Sequence, residues 1–241
     1  MRLPECLWRR FLTAVVLGAI AASTACTTTG PKFEAVELEA AQETLRAGLP
    51  GDPAMLYRLR VRSAAGLRLA VRAAGEEGRM TVSEPFGSAV SLTAWKSVDE
   101  TAFFDLREGC RIEGSDLSQA LGIGAMPLPQ ALRLLGGRLP AVETDAVTPR
   151  SDGRLVIEGR GWAALVSLLD DPWRVVLVEE VTEREKGWRI ELGDHRASVP
   201  GSVRLRNTDG HWVELQLVRF EWTAGSTLPP LPNLPLCELN R

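Results

Sequence analysis

The chain has 241 residues, 45% of them hydrophobic, with 28 basic against 31 acidic side chains and a net charge of −3 at pH 7. That length suits one large domain with an ordinary hydrophobic core. The mild acidity excludes a nucleic-acid footprint, which needs a basic face.

Charge comes early: Arg2, Arg9 and Arg10 stand against Glu5. An uncharged, mostly apolar run follows over residues 11–25. It has the length of a signal-peptide apolar core and falls short of the ~20 residues of a transmembrane helix. Small residues close it, from Ala21 to Ala25, before Cys26. Two processing routes fit: ordinary signal peptidase, or lipoprotein processing that cuts before Cys26 and acylates it. The stretch resembles a bacterial lipobox at Ala25 and Cys26, with Ser23 standing where Leu is usual. The polar Thr27, Thr28, Thr29, Gly30 and Pro31 then form a tether. The expected division is a signal peptide at 1–25, a lipidated tether at 26–32 and one domain at 33–241. The signal takes three Arg and one Glu with it, leaving 25 basic against 30 acidic residues. Two or three acyl chains make a lasting anchor, because each buried CH₂ contributes about 0.8 kcal/mol and one chain alone binds marginally.

Residues 33–48 have helical periodicity. Val36, Ala40 and Ala41 share a stripe, Leu38 and Leu45 lie near it, and Gly48 and Pro50 end it. The period then changes to two. Tyr57, Leu59 and Val61 alternate with Arg58, Arg60 and Arg62. A turn over residues 64–66 leads to Leu67, Leu69 and Val71, alternating with Arg68 and Arg72. Turns at 75–78 and 85–87 separate further strands, one with Met80 and Val82, the next with Val90, Leu92 and Ala94. This predicts an antiparallel meander with one apolar face and a solvated arginine face. Ser115 and Asp116 can cap a short helix through Ala120. Pro129 can start a second through Leu135, stopped by Gly136 and Gly137. Strand periodicity returns from Leu155, with later strands near 174–182, 188–192, 202–206 and 211–222 and hairpin turns at 186–187 and 207–210. In the last strand Val213, Leu215 and Leu217 share one parity, whereas Val218, Phe220 and Trp222 share the other. A β-bulge near Leu217 reconciles them. Residues 228–236 are Pro-rich and extended.

The order predicts an α+β fold: a curved antiparallel sheet with helices packed on one side. Cys6 leaves with the signal and Cys26 takes the lipid, so Cys110 and Cys237 remain. In an oxidising compartment they form a disulfide or stay as two separate buried thiols.

Several strings, taken in order, resemble the LolB family of outer-membrane lipoprotein receptors. Glu84, Pro85, Phe86, Gly87 and Ser88 look like that family's strand-joining loop. Gly124, Ala125, Met126, Pro127, Leu128 and Pro129, running on to Leu132, Leu134, Leu135 and Gly136, look like its Gly-Met-Pro-Ile-Pro segment and following helix. Trp188, Ile190 and Leu192, with Pro200 and residues 203–205, sit like its later strands. The resemblance spans most of residues 54–222. It implies an incomplete β-barrel with a helical lid that includes Met126, Leu128, Leu132 and Leu135. It implies a hydrophobic cavity that accepts acylated lipoproteins from a soluble periplasmic LolA-like carrier and passes them to the outer membrane. The family projects an exposed Leu from the loop toward the membrane, and Phe86, between Pro85 and Gly87, takes that place. Thr27 is not the Asp that retains enterobacterial lipoproteins at the inner membrane.

An acyl chain needs a dry concave wall of aliphatic side chains. Strand parity nominates Leu59, Val61, Leu69, Val71, Val82, Leu92, Val175, Leu177, Val203, Leu205, Leu215 and Leu217. Taken singly, each is first a core position; the cavity is a property of the set. Transfer breaks no bond, so no catalytic residue, metal or cofactor is expected, and the protein is expected to act as a monomer. His195 and His211 are the sole histidines, no nucleophile elbow is present, and residues 122–124 lack the third glycine of a dinucleotide site. The competing expectation is a lipoprotein of the same fold whose groove is filled by its own helices and which serves as an assembly part of an envelope complex.

Overall fold

The computed structural model describes residues 34–61, 64–97, 100–113, 128–140, 144–159, 161–168, 173–180, 187–206 and 209–237. Residues 1–25, the tether with Cys26, the helix expected at 115–120, Met126, Lys186 and Asn207 lie outside the described residues.

Among the described residues the elements are, in order, α1 (Ala35–Arg46), β1 (Asp52–Val61), β2 (Ala64–Ala74), β3 (Glu77–Ser83), β4 (Ala89–Trp95), β5 (Thr101–Asp105), β6 (Cys110–Glu113), α2 (Leu128–Leu135), β7 (Thr144–Pro149), β8 (Arg154–Gly159), β9 (Trp162–Ser167), β10 (Arg174–Glu180), β11 (Arg189–Gly193), β12 (Ser202–Arg206) and β13 (Trp212–Thr223). The strands form one sheet in the order β6-β5-β4-β3-β2-β1-β13-β12-β11-β10-β9-β8-β7, with antiparallel pairing along it. The first and last strands are neighbours at its centre, so two meanders join through β1 and β13. Over the described residues the fold is therefore a mostly antiparallel sheet with two helices, as the change of period implied. Strands β5, β6 and β7 add to the sheet without having been legible in the alternation.

Local chemistry explains the elements. Glu37 accepts the backbone N–H of Glu34 at 2.9 Å, satisfying an orphan donor at the start of α1. Ala41 and Leu45, four apart, form the buried stripe, with Leu38 packed beside them. Ala40 is exposed, a correction to the expected stripe. At the end of α2, Gly137 adopts φ 76°, and Arg138 N–H reaches the Arg133 carbonyl at 2.8 Å, closing a Schellman motif. The alternating arginines Arg58, Arg60, Arg68 and Arg72 are exposed on the outer face.

Register departs from simple alternation at several places. Leu56 pairs with Arg219 and Tyr57 with Leu217, leaving Val218 as the extra residue of a bulge. Leu215 and Leu217 are thus buried and Phe220 and Trp222, of the other parity, pack against the same core, whereas Val218, grouped with them by parity, is exposed as the bulged residue. The turn expected at 64–66 is misplaced: Val61 already pairs with Ala64, and Gly66 sits inside β2 at φ 86° beside a register shift. A Cβ on Gly66 would stand 2.9 Å from the Pro85 ring, so its lack of a side chain lets the β3–β4 turn pack down.

The edge strand β6 does not end in solvent. Arg111 donates its N–H to Pro235 O and accepts from Cys237 N–H, both at 2.8 Å, and its guanidinium reaches Leu234 O at 2.8 Å. Cys110 and Cys237 are joined as a disulfide. The C-terminal segment therefore covers an edge that would otherwise invite pairing.

Asp52 ties three segments together. Its carboxylate accepts Gly75 N–H and Ser226 N–H, both at 2.9 Å, and these bonds hold its pKa below the usual carboxylate value. A depressed folded pKa contributes stability above the unfolded-state value and loses it as pH falls through the folded one. We expect Asp52→Asn to be less stable than the parent at neutral pH, with the difference vanishing in acid. Urea unfolding at stepped pH measures it, and a gap that persists in acid would remove the charge from the account.

Candidate lipid-binding cavity

The register stacks aliphatic side chains in rungs across the inner face. Val82, Leu69, Tyr57 and Leu217 are successive partners, as are Met80, Val71 and Met55. On the other side of β1, Leu59, Leu215, Val203 and Leu192 form a rung, and Val213, Leu205 and Ile190 form the next. Helix α2 lies over these rungs with Leu128, Leu132, Leu134 and Leu135 buried. Between helix and sheet is a cavity of about 370 Å³. Its walls are Leu59, Leu69, Val71, Met80 and Val82 on one side and Ile190, Leu192, Val203, Leu205, Val213 and Leu215 on the other. Leu128, Ala131, Leu132, Leu134 and Leu135 form the roof, and Trp95 joins the lining from β4. The polar lining is limited to Ser91, Thr93 and His211. The volume lies toward the lower end of the ~300–1,000 Å³ typical of small-molecule pockets.

The helix is fixed from outside the cavity. Arg133 donates to Leu139 O at 2.8 Å and to Arg46 O and Ala47 O at 2.7 and 3.1 Å, while Arg138 reaches Thr44 O at 3.1 Å. Burial, with the nearby charge of Arg138, lowers the Arg133 pKa, yet guanidinium remains the charged form at neutral pH. It satisfies the orphan carbonyls at the end of α1 and binds the two helices into one unit. Gly137 completes the fit, since a Cβ there would stand 1.8 Å from Ser198 O.

Of the residues nominated by parity, Leu59, Leu69, Val71, Val82, Val203, Leu205 and Leu215 line the cavity, and so do Leu128, Leu132 and Leu135 from α2. The side chain of Val61 lies outside what the structure describes. Val175 and Leu217 are buried core but are not on the wall. Two assignments are corrected. Leu92 pairs with Thr81 and points outward, because a register shift at the β3–β4 junction reverses the parity of β4 and turns Ser91, Thr93 and Trp95 inward. Leu177 also faces out: the shift between Val175 and Leu177 puts Val178 in the core instead. Met80, Ile190, Leu192 and Val213 were missed, although each shares the alternation of a nominated neighbour. Ser91 and Thr93 gave no such signal, because polar residues on an apolar wall are invisible to hydrophobic parity.

Phe86 is 97% exposed at the tip of the β3–β4 turn. The turn is braced by hydrogen bonds: Glu84 N–H donates to Ser88 O at 2.9 Å, Gly87 N–H reaches Glu84 O at 3.0 Å with φ 96°, and Arg107 pairs with the Glu84 carboxylate. By register this turn lies at the same end of the sheet as the start of β13, where exposed His211 joins the cavity lining. His195 lies elsewhere, its Nε2 3.0 Å from Val175 O. Among the described residues no group of His, Cys, Asp or Glu could hold a metal ion, and no helix is long and apolar enough to cross a membrane.

The chain matches no protein-family model, and no curated protein matches it. Solved structures similar to it include a LolA-superfamily protein from Nitrosomonas europaea, at 12% identity over 80% of this chain and 94% of that one, with a TM-score of 0.48. An uncharacterized conserved protein from Thermus thermophilus shows 12% identity over 79% and 88%, with a TM-score of 0.34. The Mycobacterium tuberculosis lipoprotein LppX shows 8% identity over 80% and 96%, with a TM-score of 0.30. At these scores the likenesses carry no weight of their own, and the functional case stands on the cavity and the exposed Phe86.

Proposed function

We propose that this protein is an envelope lipoprotein whose half-barrel sheet holds an acyl chain under α2 and hands it to a membrane. The observation that carries this is the cavity: about 370 Å³, mostly aliphatic, at a sheet whose hydrogen-bonded β3–β4 turn projects one bare aromatic ring. An alkyl chain gains there by leaving water, at roughly 25 cal/mol per Å² of apolar area buried. Shape and dryness are the whole requirement, so no catalytic group enters. In the fuller form of the proposal, Cys26 carries the lipid anchor and a LolA-like periplasmic protein delivers the cargo. The cargo is the acyl chain of a lipoprotein, α2 acts as the lid, and the outer membrane receives the cargo.

The test is a titration of the Cys26→Ser chain, free of detergent, with a fluorescent fatty acid. We expect saturable binding that Val82→Trp, which fills the cavity from its wall, weakens at least tenfold while circular dichroism stays unchanged. A groove filled by its own helices, as in an assembly component, would give no saturable binding in the parent protein and would overturn the proposal.

A further inference from the structure

Arg79 breaks the pattern of the outer face. Its neighbours Arg58, Arg68 and Arg72 extend into solvent, whereas Arg79 is only 8% exposed. It lies on β3 at a second pocket of about 520 Å³, whose lining includes Ala94 and Phe104 of the sheet, Leu231 to Asn233 of the C-terminal segment, and the charged Lys96, Glu100, Arg111 and Glu113. Of its five N–H donors, one bond forms among the described residues, from Nη1 to Gly78 O at 3.0 Å. Its Nε is buried with no acceptor there.

No carboxylate among the described residues neutralises this guanidinium. The two acids at the pocket are committed: Glu100 pairs with Lys96 at 3.3 Å, and Glu113 with Arg111 at 2.8 Å. A charge withdrawn from water and left unpaired is costly, and the usual resolution is a partner of opposite sign. Guanidinium is suited to one shape above others, the flat or tetrahedral oxyanion that takes two parallel N–H bonds. Phe104, Leu231 and Pro232 supply an apolar surface beside it.

We propose that the pocket beneath the C-terminal segment is an anion site, in which Arg79 binds the oxyanion of a small organic acid, a carboxylate or a phosphate. The site is on the outer face, opposite the lipid cavity, and is independent of it. The C-terminal segment forms its outer wall, and the disulfide of Cys237 to β6 holds that wall in place.

The experiment is calorimetric titration of the full chain in neutral detergent with inorganic phosphate and, separately, with phenylacetate, at constant chloride. Saturable binding of either is expected. A preference for phosphate identifies a phosphate ligand, and a preference for phenylacetate identifies an organic carboxylate. Arg79→Met should bind the preferred anion at least tenfold more weakly, the loss expected for a charge-assisted hydrogen bond. Its melting temperature without anion should be equal to or above the parent's, since an unpaired buried charge has been removed. Absence of saturable binding of both anions by the parent overturns the proposal, whatever the variant does. Undiminished binding by Arg79→Met also overturns it.

Discussion

Phe86→Glu is expected to leave acyl-chain binding unchanged and to reduce delivery of cargo into a membrane by about a hundredfold or more. Phe86 is outside the cavity lining, so its replacement removes no wall. Its ring makes no core contact that would explain an exposed phenylalanine on a turn so well held by Glu84, Gly87, Ser88 and Arg107. Burying a phenylalanine in an apolar medium contributes roughly 1.5–3 kcal/mol, and a carboxylate in its place opposes entry into the acyl region. Since about 1.4 kcal/mol is a factor of ten, the sum of the two changes reaches that scale. The assay is transfer of a fluorescent acylated protein from its carrier to liposomes. Phe86→Leu should retain delivery, because it keeps a large apolar tip. Normal delivery by Phe86→Glu would remove the loop from the mechanism.

Cys237→Ser is expected to destabilise the fold by about 4–5 kcal/mol. The bond joins residues 127 apart, and the chain-entropy account gives that cost for a loop of this length. Against a typical total of roughly 5–15 kcal/mol this is a large share. The structural consequence is local as well: Arg111 would have to hold residues 234–237 by three hydrogen bonds alone. Their loss would bare the edge of β6 and favour association through it. With a urea slope of about 2–3 kcal/mol/M, the unfolding midpoint should fall by roughly 1.3–2.5 M. The double variant Cys110→Ser with Cys237→Ser should match the single one, which separates loss of the bond from effects of a free thiol. A midpoint within about 0.2 M of the parent, on that same urea scale, would show that the hydrogen bonds suffice.

Period and punctuation in the chain were enough to place both helices that the structure describes and most of the strands. The 3.6-residue stripe of Ala41 and Leu45, the Pro and Gly signals around α2, and the two-residue alternation of β1, β2 and β13 are local properties. So is the bulge at Val218, which shows as a change of parity within one strand. Most of the cavity wall followed from the same alternation, because a side chain's face is fixed by its neighbours in sequence while a strand stays regular. Three things were decided only by the tertiary structure. Register shifts reversed the parity of Leu92 and Leu177, and no change of apolar parity along either strand marks them. The pairing of Cys110 with Cys237 depended on where the C-terminal segment crosses β6. Burial of Arg79 is the third: alternation assigns it to the solvated face, yet it is withdrawn from water in a pocket that residues far along the chain, Leu231 to Asn233, help to line.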